Sequence, residues 1–354
     1  MTYALLGLYG LFALVALLNL TLMRRPGRRK EGDSFCVLIP ARNEAENLKE
    51  LIPLLKPQGV KIYVFDDESE DNTAEVAREA GAIVIRPREP LPQGWTGKNR
   101  ACHELAKAAA EDSDARWYLF LDADTRPAPD FIDGMRDLAA QVGGRCGVLT
   151  GFPQIKPGKG IEPLFLAWVG WVILATNPFG VVSRTRMGHN RFTNGQVHAW
   201  KSEIYTRLWP NERVKDRVME DVTMGRMLAK ERIQVETANL TQILSVRMYQ
   251  TWQETLDGMS KNSFEIANSV PGSLIVALLF VFFALGWLLT GALIPWTLGL
   301  FTLGGFAVAL NVRTVWWPAL FMPLVCLIGA FTVLRSTYWR VTGQTRWKGR
   351  TYQN

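Results

Sequence analysis

A chain of 354 residues that is 48% hydrophobic and 21% charged has length for one large domain plus additional segments, and its apolar residues are unevenly spread. The formal net charge of +7 is also uneven: ten lysines and arginines flank the apolar ends, so the remainder carries −3, which argues against a nucleic-acid footprint on the central region. The four cysteines, Cys36, Cys102, Cys146 and Cys326, form no C-x-x-C pair and are expected to be reduced, structural thiols.

Residues 3–23 are expected to form an N-terminal transmembrane anchor, because residues 4–23 hold no charge over a length that spans hydrocarbon at ~1.5 Å per residue. Met1-Thr2-Tyr3 lacks the basic start of a cleaved signal. Arg24, Arg25, Arg28, Arg29 and Lys30 follow the span instead, which places the domain after it on the cytoplasmic side, with these cations near anionic headgroups.

Residues 31–246 have ordinary soluble composition and are expected to fold as a cytosolic domain. Phe35–Ile39 reads as a strand ended by Pro40, and Glu44–Leu55 as a helix with Leu48, Leu51, Ile52 and Leu55 on one face. Lys61–Phe65 is the second strand. Asp71 caps a helix over Asn72–Ala80, stopped by Gly81. Ala82–Ile85, a helix over Asn99–Ala110 and the strand Trp117–Leu121 complete four strand–helix alternations. This order predicts an α/β, Rossmann-like, mostly parallel sheet whose ligands lie beyond the C-terminal strand ends.

Polar groups gather at those ends: Pro40, Arg42, Asn43 and Glu44 after the first strand, Asp66 and Asp67 after the second. A loop follows the third, in which Lys98 comes after a flexible Gly-x-x-Gly approach, Gly94 to Gly97, and Asp122 and Asp124 follow the fourth. Two carboxylates one residue apart suit Mg²⁺ or Mn²⁺, which keeps open positions for phosphate oxygens. Asp66 and Asp67 suit hydrogen bonds from a nucleobase or ribose, and Lys98 suits a phosphate as a point charge. Each feature alone also reads as a capped turn; four strand ends together read as a site. Glu220-Asp221 opens a helix-like run, so it reads equally as a general base or as acids favoured by the helix dipole.

Pro40-x-x-Asn43-Glu44, Asp66-Asp67, Gly97-Lys98, Asp122-x-Asp124 and Glu220-Asp221, in this order, resemble the family 2 glycosyltransferases, inverting enzymes of the GT-A fold. The resemblance covers roughly residues 33–270. With the membrane layout and the run GWTGKNRAC it is nearest to the bacterial carotenoid (diaponeurosporenoate-type) and hopanoid-associated members, and more distant from ceramide glucosyltransferases. It implies a nucleotide-sugar donor, a hydrophobic lipid acceptor and a divalent metal. Asp66 would contact the base, Glu44 the ribose and Lys98 the diphosphate. Asp124 would ligate the metal with Asp122 supporting it, and Asp221 would deprotonate the acceptor, with Glu220 beside it. Processive relatives carry Q-x-x-R-W; here Arg247-Met-Tyr249-Gln-Thr-Trp252 stands instead, and Gln344-Thr-Arg346-Trp347 is one residue short. Transfer of a single sugar is therefore expected. A polyprenyl-phosphate acceptor is the alternative, and a non-catalytic nucleotide-sugar-binding membrane protein a second.

An interfacial helix is expected over 161–179, with Trp168 and Trp171 at the membrane boundary and a buried core helix as the other reading. Arg184, Arg186 and Arg191 read as headgroup contacts or a solvated face. His189 and His198 read as structural residues, with a metal or acceptor role as the alternative. Asn194, Gly195 and Gln196, with Trp252, are the candidate acceptor residues. Residues 247–270 are expected to form an amphipathic helix with Met248, Trp252, Leu256 and Met259 on one face. Residues 273–334 form a C-terminal transmembrane region of three apolar blocks, and 335–354 a basic tail, placed in the cytosol, whose Trp339, Arg340, Trp347 and Arg350 would brace the site. A multi-pass protein of the cell membrane follows.

Overall fold

The computed structural model describes residues 2–185, 192–217, 219–249, 251–267, 269–344, 346–347 and 350–351. His189, Arg186 and Arg191 lie outside these residues, as do the side chains of Arg184, Trp347 and Arg350. The chain divides into two compact units: residues 23–154 with 182–246, and residues 1–22, 155–181 and 247–354.

The first unit is built on a seven-stranded sheet. Its strands are β1 (Phe35–Ala41), β2 (Lys61–Asp66), β3 (Ile83–Ile85), β4 (Trp117–Leu121), β5 (Cys146–Phe152), β6 (Val197–Lys201) and β7 (Gln234–Asn239). Their order is β3-β2-β1-β4-β6-β5-β7. The pairings β1–β2, β2–β3, β1–β4 and β5–β7 are parallel, whereas β6 runs antiparallel to both β4 and β5. The expected mostly parallel α/β sheet is therefore present. Pro40 does not end β1, which continues to Ala41. Pairing with β4 covers Phe35 to Leu38 only, so the missing Pro40 N–H falls where no β4 partner exists.

Alternate residues of each strand feed two cores. Val37, Ile39, Leu119 and Leu121 meet Leu48, Leu51, Ile52 and Leu55 of α1 (Ala45–Leu55). Cys36, Leu38, Phe65 and Phe120 instead share a cluster with Ala101, Leu105 and Ala109 of the helix Gly97–Asp112. Full burial of each such leucine or phenylalanine contributes roughly 1.5–3 kcal/mol. Between these helices lies α2 (Thr73–Glu79). Asp71 acts at its start as expected, but by accepting from the Thr73 amide (3.1 Å) and from the Ala45 amide of α1 (3.2 Å), so it ties two helix starts together. We name Gly97–Asp112 α3; it begins two residues earlier than the sequence pattern suggests, because Thr96 Oγ1 accepts from the Asn99 amide (3.3 Å).

Gly151 on β5 pairs with Ala238 on β7. A Cβ there would press into the Ala238 carbonyl oxygen and lie 2.7 Å from Leu240 Cγ. Gly151→Ala is expected to cost about 3 kcal/mol, seen as a drop of several degrees in the thermal unfolding midpoint.

Several of the five basic residues assigned to headgroups, Arg24, Arg28 and Arg29 among them, have side-chain partners inside this unit. Arg24 Nε lies 3.4 Å from Glu236 Oε1, and Arg28 Nε 2.7 Å from Asp130 Oδ2.

The second unit is helical. Among the described residues four segments, Thr2–Leu22, Glu162–Ser183, Val270–Asn311 and Trp317–Val341, are long and apolar enough to cross a membrane. Leu278, Trp296 and Leu310, more than half exposed, leave apolar surface for such surroundings. Trp168 and Trp171 do not face outward: both are 2% exposed, packed against Phe280 and against Phe12, Phe283 and Phe301 respectively. The apolar 14-residue run between Pro163 and Pro178 extends, with a break after Leu174, into a 22-residue segment. Asn19, fully buried, holds that break by donating to the Leu174 and Asn177 carbonyls (both 2.8 Å) and accepting from the Gly180 amide (3.0 Å).

The amphipathic helix is Trp252–Ala267. Its buried residues include Thr255, Met259, Ser260 and Ser263, while Trp252 is 40% exposed, so the inward face is more polar than its apolar pattern suggests. The last helix runs through Val341, so Arg335 and Arg340 belong to it and not to a tail. Arg335 pairs with Asp257 (2.6 Å) and lies over Trp339, and Arg340 lies over Phe264, so both arginines hold the helix Trp252–Ala267.

Candidate active site

The ends of β1 and β2 are laced together. Asn43, at φ 54°, donates its amide to Ser69 Oγ (2.9 Å) and accepts from the Glu70 amide (2.8 Å). Glu44 takes the side-chain amide of Asn47 (2.6 Å) and donates its own backbone N–H to Thr73 Oγ1 (2.8 Å). Both residues thus fix the loops at the ends of β1 and β2. Asp66, 3% exposed, accepts from the Ser69 amide (3.1 Å) and from Arg86 Nε (3.0 Å). Asp67 is buried beside it, its amide donating to the Ala41 carbonyl (2.8 Å).

Arg86 was not singled out by sequence; the signal was its place one residue after β3. Arg100 was missed too. Its guanidinium lies over Phe65 (6.0 Å) and 3.9 Å from Glu68.

A second cluster forms where β4, α3 and α4 (Glu220–Lys230) meet, and Lys98 is its centre. Its Nζ lies 2.9 Å from Asp122 Oδ1, 3.2 Å from Glu220 Oε1 and 3.1 Å from the Gly195 carbonyl. Lys98 is therefore on the first turn of a helix with its ammonium engaged, and not at the tip of a flexible loop. Burial alone would lower its pKa, but Asp122 and Glu220 outweigh that and hold it well above the usual lysine value.

The loop Asn194–Gln196 joins the acidic groups. The Gln196 carbonyl accepts from the Asp122 amide (3.1 Å), and the Gly195 amide donates to Asp221 Oδ2 (3.2 Å). Asn194 is anchored to β5, donating to the Gly151 carbonyl (2.9 Å). A Cβ on Gly195 would fall 3.2 Å from Lys98 Nζ and 3.3 Å from Asp221 Oδ2, so a side chain there would crowd both groups. These three residues are brought to the site; Trp252 belongs to the helical unit.

Asp221 Oδ1 accepts from the Val222 amide (2.7 Å), and Thr193 donates to the Asp221 carbonyl (2.6 Å). Burial raises the Asp221 carboxyl to about 6, with Glu220 adding to the rise and Lys98 and two backbone amides opposing it.

His198 is not a ligand. It is buried, stacked on Phe120 (4.8 Å), and its Nδ1 accepts from Trp200 Nε1 (2.9 Å). Burial and then Lys98 push it down to about 3, so it is neutral. All four cysteines are buried and unpaired, as expected for structural thiols.

Among the described residues no three His, Cys, Asp or Glu side chains converge as a metal cage. Asp122, 2.9 Å from Lys98 Nζ, and Asp124, two residues on, each offer hard carboxylate oxygens. That donor set fits a Mg²⁺ or Mn²⁺ that takes the rest of its shell from a diphosphate and water.

Residues 36–158 match the family described as Glycosyl transferase family 2. The 4,4'-diaponeurosporenoate glycosyltransferase of Staphylococcus haemolyticus (strain JCSC1435) is 26% identical over 243 residues, covering 66% of this chain and 63% of that protein. The protein of the same name from Staphylococcus aureus (strain USA300) is 25% identical over 233 residues, covering 65% and 60%. The matched region thus spans less than two thirds of these relatives. Among solved structures, glucosyl-3-phosphoglycerate synthase from Mycobacterium tuberculosis, in complex with Mn²⁺ and UDP-glucose, aligns with a TM-score of 0.43 and 19% identity, over 64% of this chain and 77% of that one. S. aureus TarS aligns with a TM-score of 0.43 and 14% identity, over 69% and 42%.

Proposed function

From the family 2 glycosyl transferase domain that residues 36–158 carry, we propose that this protein transfers one sugar, with inversion, from a nucleotide-sugar to a hydrophobic lipid acceptor. A UDP-sugar is the first choice of donor and a carotenoid or related terpenoid of acceptor, in keeping with the names of the relatives. The observation that carries the reading is the convergence of Asp122, Lys98, Glu220 and Asp221 on the Gly195 loop.

In this reading Asp66 receives the nucleobase, with Glu44 at the ribose. Asp124 and Asp122 would hold the divalent metal, which when bound neutralises the leaving diphosphate. Asp221 takes the proton of the acceptor hydroxyl. Its two oxygens each accept one backbone amide, which fixes the carboxylate plane, and a pKa near 6 makes it a stronger base than an ordinary carboxylate while still ionised at pH 7. Direct displacement at the anomeric carbon needs one base and one stabilised leaving group, and no covalent intermediate. The four apolar helices suit an enzyme that works at a membrane on lipid substrates.

The test incubates the protein with labelled UDP-glucose, UDP-N-acetylglucosamine or GDP-mannose and total bacterial lipid extract, followed by mass spectrometry. A glycolipid carrying one sugar is expected, and a chelator should remove it. Absence of both glycolipid and free nucleotide diphosphate with every donor would overturn the reading.

A further inference from the structure

Lys98 and Asn99 are adjacent but face different partners. Lys98 reaches the acidic groups, whereas Asn99 is fully buried and reaches the segment just before them. Its Nδ2 donates to the carbonyls of Val214 (2.9 Å), Lys215 (3.4 Å) and Arg217 (3.1 Å). One residue pair beyond this stretch, α4 begins with Glu220 and Asp221. The Thr96 amide adds a fourth tie, donating to the Lys215 carbonyl (2.7 Å).

The orientation of the Asn99 amide is itself enforced. Its Oδ1 accepts from Asn211 Nδ2 (2.9 Å), and Asn211 Oδ1 accepts from the Tyr205 hydroxyl. Tyr205 and Asn211 are 0% and 1% exposed. A chain of donors therefore runs Tyr205 → Asn211 → Asn99 → three carbonyls, with every polar atom assigned one sense. The segment it grips is a turn and not a helix: residues 214–217 lie between the short helix Pro210–Arg213 and α4, Val214 and Arg217 donate to the Pro210 and Val214 carbonyls (3.1 and 2.9 Å), and Lys215, Asp216 and Arg217 are exposed.

We propose that Tyr205, Asn211 and Asn99 form a positioning lock that fixes the 214–217 segment against the start of α3, and so sets the spacing between the Lys98 ammonium and the Glu220–Asp221 pair. None of the three touches the reacting groups; they act through the backbone that carries them. A mispositioning of ~1 Å at a general base can cost about 100-fold in rate, so a side chain that holds three carbonyls in place here governs turnover. The role in turnover rests on the glycosyl-transfer reading. The lock itself does not.

The experiment therefore has two arms. Hydrogen exchange is read by mass spectrometry on the full chain in detergent, without substrate. Asn99→Ala should speed exchange across residues 212–222 by about tenfold and leave β1–β4 unchanged; Tyr205→Phe, a milder break one step back, should speed it about threefold. Unchanged exchange in this segment for both variants, or equal acceleration throughout β1–β4, would overturn the lock, and Tyr205→Phe carries the arm alone if Asn99→Ala does not fold. In the kinetic arm kcat should fall roughly 10- to 100-fold for Asn99→Ala, with the donor KM within about twofold. A raised KM with intact kcat would overturn the positioning role. Failure of the unaltered protein to transfer sugar would count against the glycosyl-transfer reading, while the exchange arm would still decide the lock.

Discussion

Asp221→Asn is expected to lower sugar transfer to an alcohol acceptor by about 10³-fold while donor affinity stays within about twofold. The substitution is nearly isosteric. If oriented with its oxygen toward Gly195, the amide still accepts from that backbone N–H, so the loop keeps its place. What is lost is the lone pair that takes the acceptor proton, together with the bond that Oδ1 accepts from the Val222 amide. The same carboxyl sets a second expectation. Only its ionised form is a base, and it titrates near 6, so kcat should fall below about pH 6 and level off above it. Turnover measured from pH 5 to 8 checks the limb; full activity of Asp221→Asn on an alcohol would remove Asp221 from the role of base. A phosphate acceptor is already a nucleophile, so on such a substrate the variant should lose little. Comparing the two acceptor types therefore also tests the polyprenyl-phosphate alternative.

The parallel half of the sheet was legible because each buried strand there is an unbroken apolar run ending in polar residues. Phe35–Ala41, Lys61–Asp66 and Trp117–Leu121 all follow that rule, and the site acids stand at their ends. β6 was not legible. Val197-His-Ala-Trp-Lys alternates size and polarity, and its His198 and Lys201 are buried only because Trp200 Nε1 and the Gly144 carbonyl give them partners. Such partners are tertiary and leave no local pattern.

The same limit applies to the site. Asp66, Asp122 and Asp221 were visible as acids at element ends, but the central cation was misplaced. Gly94 and Gly97 suggested a flexible approach to Lys98, whereas Thr96 caps a helix there and the Lys215 carbonyl holds the Thr96 amide (2.7 Å), a contact across more than one hundred residues. Trp168 and Trp171 show the converse, side chains that face inward where an outward face was expected. Their spacing is that of an interfacial face, yet small residues opposite make room for them: Gly329 sits directly against the Trp168 indole.

Lys98→Met should reduce turnover by about 10³-fold and, more diagnostically, move the acid limb of the pH profile upward from about 6. Lys98 is the one cation within reach of Asp122 and Glu220 among the ion pairs of the described residues here, at 2.9 and 3.2 Å. Its charge is also what opposes the upward push of burial and Glu220 on Asp221. Methionine keeps the length and the apolar stem but removes the charge, so Asp122, Glu220 and Asp221 face one another with less compensation and Asp221 holds its proton to higher pH. The sign distinguishes this from a folding defect, which would lower the amplitude and leave the limb in place. Arginine should not restore activity, because its planar fork cannot put one nitrogen near Asp122, Glu220 and the Gly195 carbonyl together. A Lys98→Met profile whose limb stayed near 6 would mean that the base responsible is not the group Lys98 faces, and the assignment of Asp221 would fall with it.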